Sequence, residues 1–227
     1  MEAIVLAGGL GTRLRSVVSE LPKPMAPIGD KPFLVYLLEY LYKHKVTRVI
    51  LSVGYKWETI RDYFGSHYKT MELVYSVEEE PLGTGGAIKK AMSQVNNEKV
   101  YIVNGDTFFN VDLHSLVLDK HSKLLLSLKY MEKFDRYGCV KSNKEHKVTA
   151  FTEKSYQDKG TINGGIYLAS KAIFDTYDLP QIFSFEVFMQ DHLQSLSITS
   201  KVFENYFIDI GIPEDYECVQ RDLVKFI

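Results

Sequence analysis

Four short apolar runs, AIVLA (3–7), RVILSV (48–53), MELVYSV (71–77) and KVYIV (99–103), are separated by stretches with the make-up of helices. Those helices are predicted over 31–45, with Asp30 as cap and Pro32 in the first turn, over 56–64, and around 87–95 after a glycine-bearing turn. Such β-α-β-α alternation confines this part of the chain to a mostly parallel sheet with helices on both faces. An open sheet of that kind takes its ligands beyond the carboxyl ends of its strands. The unusual residues fall there: GGLGTR follows the first run, PLGTGG the third and NGD the fourth.

The second half has a different texture. LLLSLKY, RYGCVKS, KVTAFTEK and INGGIYLA are strand-like with short polar or glycine-containing connections, which predicts antiparallel or mixed strands in a lid-like subregion. Two helices are predicted after them, at SFEVFMQDHLQSL and PEDYECVQRDLVKF. No linker, repeat or low-complexity tract interrupts the 227 residues, so the expectation is one domain over 1–227. A formal net charge of −2 points to no nucleic acid and no anionic membrane as partner, so an anionic ligand must be held by a local cluster of donors. Neither the opening MEAIVLAGG nor FLVYLLEYL (33–41), broken by Glu39, has the composition of a signal peptide or a membrane span. Cys139 and Cys218 lack metal-like spacing and read as reduced thiols, which fits a cytoplasmic protein.

The loop in LAGGLGTRLR fits neither common phosphate template. A P-loop needs Lys and then Ser or Thr after its last glycine, and a dinucleotide fingerprint needs a small residue where Leu14 stands. Backbone N–H groups left free at a turn still attract anions, and glycine lets them approach. Arg13 adds a planar, permanently charged donor set suited to a polyphosphate. The four prolines of ELPKPMAPIGDKP (20–32) stiffen the segment that points Lys23. Asp106, just past a buried strand in NGDTFF, reads either as a Mg2+ anchor or as an Asx-turn cap. Asp209 in FIDIGIPEDY is a second carboxylate in an apolar run, and two such groups call for a cation between them or a shifted pKa.

Taken in order, LAGGLGTRLR, PKPMAPI, EPLGTGGA, NGDTF, FTEK, NGGIY and FIDIGIPEDY resemble the sugar-nucleotide pyrophosphorylases, nucleotidyltransferases that act on sugar 1-phosphates. The resemblance spans nearly the whole chain. It implies an α/β fold, a Rossmann-like three-layer α/β/α sandwich with a mixed, mostly parallel central sheet and no C-terminal β-helix. It implies GTP and a sugar 1-phosphate as substrates, heptose 1-phosphate being favoured, with Mg2+ as cofactor and a product destined for a capsule or other surface polysaccharide. A homo-oligomer is compatible with it. Residues 1–110 would form mainly the nucleotide part and 111–227 mainly the sugar-phosphate part.

The same resemblance implies roles for individual residues. Leu6, Ala7, Gly8, Gly9, Gly11 and Thr12 would line the nucleotide, together with Pro81, Gly83, Thr84 and Gly105. Arg13, Lys23 and Asp106 would be catalytic, and Asp106 and Asp209 would ligate Mg2+. Gly138, Glu153, Lys154, Asn163, Gly164 and Phe207 would meet the sugar phosphate. Neighbours on a regular strand face opposite sides, so Glu153 and Lys154 share a face only where a strand bends or ends. Glu78 or Glu80 of VEEEPLGTGG offers an acceptor where guanine donates from N1 and its exocyclic amine, the other reading being a solvated acidic run. None of the motifs contains a histidine, and a base is not required, because a phosphate monoester with a second pKa of about 6 is already nucleophilic at neutral pH. The alternatives within the class are mannose 1-phosphate guanylyl transfer and N-acetylmuramate 1-phosphate uridylyl transfer. Outside it stands a catalytically silent protein that binds a nucleotide sugar.

Overall fold

The computed structural model describes residues 1–9 and 21–226. Its centre is an eight-stranded sheet. In spatial order the strands are β13 (Ile198–Phe203), β9 (Leu124–Phe134), β12 (Gln157–Ser170), β7 (Lys99–Asn104), β1 (Glu2–Leu6), β4 (Arg48–Val53), β6 (Met71–Val77) and β5 (His67–Tyr68). Only β12 and the short edge strand β5 run against the others. Three two-stranded pairs stand apart: β2 (Pro27–Ile28) with β3 (Lys31–Pro32), β8 (Thr107–Phe109) with β14 (Phe207–Asp209), and β10 (Val140–Ser142) with β11 (Val148–Phe151).

Helices cover both faces, and the strands show why. Successive side chains of a strand point to opposite sides, and in β1 both sides are apolar: Ala3 and Val5 join one core, Ile4 the other. On the first face pack α1 (Phe33–Lys43), α2 (Trp57–Phe64) and α6 (Pro213–Asp222), through residues such as Leu34, Leu38, Ile60 and Val219. On the second pack α3 (Gly83–Met92), α4 (Phe185–Asp191) and α5 (Leu193–Leu196), through Ile88, Phe185, Phe188 and Leu196. The result is an α/β/α sandwich with a mixed, mostly parallel sheet, as the resemblance implies. Among the described residues, no helix is long and apolar enough to cross a membrane.

Four local expectations change. The lid-like subregion does not form as expected, because LLLSLKY and INGGIYLA supply β9 and β12, interior strands of the main sheet; of the four runs, only RYGCVKS and KVTAFTEK, which supply β10 and β11, stand off it. The reason is burial, since Leu124, Leu126 and Leu128 are fully buried and Leu125 nearly so, and a strand apolar on both faces belongs inside a sheet. Asp30 does not cap α1: Lys31 and Pro32 pair back with Ile28 and Pro27, Pro32 takes the cap position, and the Phe33 N–H donates to the Ala26 carbonyl at 2.9 Å. The predicted helix over SFEVFMQDHLQSL breaks into α4 and α5 at His192, whose backbone is not helical. The glycine-bearing turn before the third helix is itself helical, so α3 begins at Gly83.

Candidate active site

β1, β4, β6 and β7 are parallel, so their carboxyl ends open on one edge of the sheet. Backbone bonds gather the loops that leave them: Ala7 N–H to Ser52 at 2.7 Å, Glu78 N–H to Val53 at 2.7 Å, and Gly105 N–H to Leu6 at 2.9 Å. A cavity of about 280 Å³ lies between these loops. One wall is Leu6, Ala7, Gly8 and Gly9, and another is Glu78, Pro81, Gly83 and Thr84. Gly105 and Asp106 form its floor beside Lys23. Glu78 braces its own loop, accepting the Leu82 N–H at 3.0 Å and the Ser52 hydroxyl at 3.3 Å. Gly83 has φ +70°, and a Cβ there would lie 2.6 Å from the Phe183 carbonyl oxygen, so no other residue serves.

The ionic centre is built by tertiary pairing. In the β8–β14 pair Asp209 lies opposite Thr107, and the Ile210 N–H donates to the Asp106 carbonyl at 2.9 Å. This sets Asp106 and Asp209 side by side. Lys23 reaches between them from a single 3-10 turn (Lys23–Met25), with its ammonium 2.6 Å from Asp106 Oδ2 and 3.8 Å from Asp209 Oδ1. The prolines confine that turn, and α6 holds the β2–β3 hairpin behind it: Tyr216 and Gln220 both donate to the Pro27 carbonyl, and Gln220 accepts the Gly29 N–H at 2.9 Å. Burial raises the Asp209 pKa, and the negative charge of Asp106 raises it further, only partly opposed by Lys23. Among the described residues, Asp209 Oδ1 is buried without a hydrogen-bond partner. A buried carboxylate oxygen left unbonded next to a second carboxylate is a donor set for a hard divalent cation that takes its remaining ligands from phosphate and water. The residues present therefore fit Mg2+.

A second cavity, of about 370 Å³, continues from the first. Asn104 lines both, and the neighbouring Asp106 and Thr107 divide between them, Asp106 lining the first and Thr107, with Asp209, the second. Together their volumes fall in the range of about 300–1,000 Å³ usual for ligand sites. Gly138, Glu153, Lys154, Asn163 and Phe207 line the second cavity. β11 ends at Phe151, so Glu153 and Lys154 are free of strand alternation and both border the space. In β12 the register with β9 shifts between Asn163 and Tyr167, leaving a bulge that turns Asn163 inward. Its side chain is already committed, donating to the Tyr167 hydroxyl at 2.7 Å and accepting the Gly165 N–H at 3.1 Å.

Two expected residues are not brought into these cavities. Gly164 packs behind the wall, where a Cβ would stand 2.4 Å from the Phe109 ring. Glu80 faces a separate depression with Lys89 and Gln181. Gly11, Thr12 and Arg13 lie outside the described residues. The structure adds residues that sequence reasoning passed over. Asn104 stood inside the quoted NGD motif, overlooked beside its aspartate. Arg136, paired with Asp215 at 2.8 Å, and Glu186, Met189 and Gln190 of α4 also line the second cavity. Glu186 and Gln190 are exposed and one helical turn apart, which in sequence is indistinguishable from a solvated helix face.

Residues 2–225 match the sequence family described as Nucleotidyl transferase. The chain belongs to the nucleotidyl transferase family. This nucleotidyl transferase is 51% identical to D-glycero-alpha-D-manno-heptose 1-phosphate guanylyltransferase of Campylobacter jejuni, across 95% of its own length and 97% of the relative's. It is 52% identical to the protein of the same name from Aneurinibacillus thermoaerophilus, with both chains covered in full. Among solved structures it is similar to HddC from Yersinia pseudotuberculosis complexed with GMP-PN, with a TM-score of 0.84 and 39% identity over 100% of this chain and 99% of that one.

Proposed function

We propose that this protein condenses GTP with D-glycero-α-D-manno-heptose 1-phosphate to give GDP-D-glycero-α-D-manno-heptose and pyrophosphate. The observation that carries the reading is the junction of two cavities at one ionic cluster, Lys23, Asp106 and Asp209, in a chain that matches guanylyltransferases end to end. The first cavity, walled wholly by residues from the first 110, takes the nucleotide; the second, walled mostly by later ones, takes the sugar phosphate. Glu78 reads guanine, each of its carboxylate oxygens keeping a lone pair beyond the bond it already accepts.

A phosphate oxygen of the sugar substrate attacks the α-phosphorus of GTP. That P–O bond forms as the bond from the α-phosphorus to the bridging oxygen breaks, and pyrophosphate departs with that electron pair. No side chain has to remove a proton. What the site must do is hold two polyanions together and offset the charge that spreads between them. Lys23 supplies a cation at the junction, Lys154 meets the sugar phosphate, and Asn104 positions groups entering from either side. Asp106 and Asp209 would hold Mg2+, which would polarise phosphate oxygens. Gly11, Thr12 and Arg13 complete the phosphate cradle on the sequence resemblance. The reaction takes place in the cytoplasm and feeds a surface polysaccharide.

The test is pyrophosphate release over a matrix of nucleoside triphosphates and sugar 1-phosphates with Mg2+. GTP with heptose 1-phosphate is expected to give the highest kcat/KM. Faster turnover with UTP, or with mannose 1-phosphate, would replace the base or the sugar in this reading, and no turnover with any pair would end it.

A further inference from the structure

The glycines of PLGTGG serve a contact that leads from one cavity to the other. The segment opening α3 is pressed against the residues that open α4: Gly85 and Gly86 donate their N–H groups to the Phe183 carbonyl at 2.9 and 3.3 Å. A Cβ on Gly85 would sit 2.2 Å from the Phe183 ring, so the small residues there let the two helix starts meet. At the meeting point stands Thr84. Its hydroxyl accepts the Phe185 N–H at 2.8 Å and donates to Glu186 Oε2 at 2.9 Å. Because the oxygen is already an acceptor from a fixed backbone N–H, its proton is aimed at Glu186. The Ser184 hydroxyl, which caps α4 by accepting from the Val187 N–H, donates to the same Oε2 at 2.8 Å.

Thr84 lines the first cavity and Glu186 the second. An exposed glutamate would ordinarily sample several rotamers, yet two hydroxyl donors hold one oxygen of this carboxylate. Its other oxygen, Oε1, has no hydrogen-bond partner among the described residues. A carboxylate so held is an acceptor prepared for a donor that enters the second cavity. An open carboxylate oxygen takes an O–H or N–H donor, and of the two substrates the sugar phosphate is the one that brings hydroxyls to this cavity; Gln190, one turn along α4, adds an amide to the same wall.

Resting on the function proposed above, we infer that Glu186 is a specificity-determining residue that accepts a hydrogen bond from a hydroxyl of the sugar 1-phosphate. Thr84 is its positioning residue, so that a group in the nucleotide cavity sets the wall of the sugar cavity. The contact is charge-assisted and directional, so its loss falls on sugar affinity rather than on the chemical step.

The test combines enzyme and substrate changes. Glu186→Ala is expected to raise the KM for heptose 1-phosphate by about tenfold to a hundredfold, the range for a hydrogen bond to a charged group, with kcat changed far less. Thr84→Val, which leaves the carboxylate held by Ser184 alone, is expected to raise the same KM by a smaller factor. A series of monodeoxy sugar 1-phosphates then separates contact from packing. One analogue should lose the same factor on the wild-type enzyme and nothing further on Glu186→Ala. If every deoxy analogue loses equally on both enzymes, or if Glu186→Ala leaves the sugar KM unmoved while the wild type turns over normally, the inference is overturned and the proposed reaction stands. A wild-type enzyme that uses no sugar 1-phosphate overturns both.

Discussion

Lys23 is only 12% exposed and touches two carboxylates, one of them pressed toward the protonated form by burial and by its neighbour. Its ammonium therefore does structural work before any substrate arrives, holding together two like charges that would otherwise repel. Lys23→Met removes the ammonium that lies between Asp106 and Asp209. The variant should be less stable than the parent by roughly 1–3 kcal/mol in urea denaturation without metal, as expected when a buried polar partner is removed. Adding Mg2+ should return part of that loss, because a divalent cation can occupy the same electrostatic role. Equal stability of the two proteins with and without Mg2+ would show that Lys23 does not hold the two carboxylates together.

A second charged residue makes a pH prediction. Glu2, 3% exposed at the start of β1, accepts from Arg48 at 2.7 Å and from the N–H groups of Asn96 and Asn97 at 2.7 and 2.6 Å. Burial opposes its ionisation, but those bonds from Asn97, Arg48 and Asn96 outweigh it, and the net pKa lies below the ordinary 4.5. A carboxyl group whose folded pKa is depressed contributes stability above its unfolded pKa and loses it as pH falls through the folded value. Glu2→Gln should thus cost about 2 kcal/mol at neutral pH. Below pH 4.5 the difference from the parent should shrink, as read from urea midpoints across the acid range.

At the scale of elements, the site depends on how strands are interrupted. β12 must bulge between Asn163 and Tyr167 to aim Asn163 at the second cavity, and Gly164 lets that bulge lie flat on Phe109. Gly164→Ala drives a methyl into a fully packed ring. It should destabilise the protein by about 1–3 kcal/mol, with a larger rise in KM for the sugar phosphate than for GTP. A KM change for GTP alone would contradict the assignment of the second cavity, whose wall this bulge backs, to the sugar phosphate. The strand-helix alternation of the first half was legible because each strand is mostly apolar and each connection carries a glycine, a proline or a helical face. β9 and β12 were legible as strands but not as sheet interior, since an apolar run does not state which neighbour will cover it. The same limit applies to α4, where Glu186 and Gln190 look like any polar face until the cavity beside them is seen.

For the molecule as a whole, the two cavities open where elements from distant parts of the chain converge, from β1 to β14, so occupancy should tighten all of it. With Mg2+ and GTP at about a hundred times the dissociation constant, linkage predicts a gain of about 2.7 kcal/mol. For a chain of this length that is a thermal shift of about 5–10 °C, measurable by differential scanning fluorimetry. A chelator added to the same mixture should remove most of the shift.

Local chemistry is written along the chain: which stretches become buried strands, where glycine must stand, and which carboxylates and lysines sit at strand ends. Those features depend on a few neighbouring residues, and so they survive in one dimension. The pairing of β8 with β14, which sets Asp209 beside Asp106 and gives Lys23 its place between them, arises from contacts between distant segments. So does the bond from Thr84 to Glu186. Such contacts follow from how whole layers pack, and no short run of residues encodes their geometry.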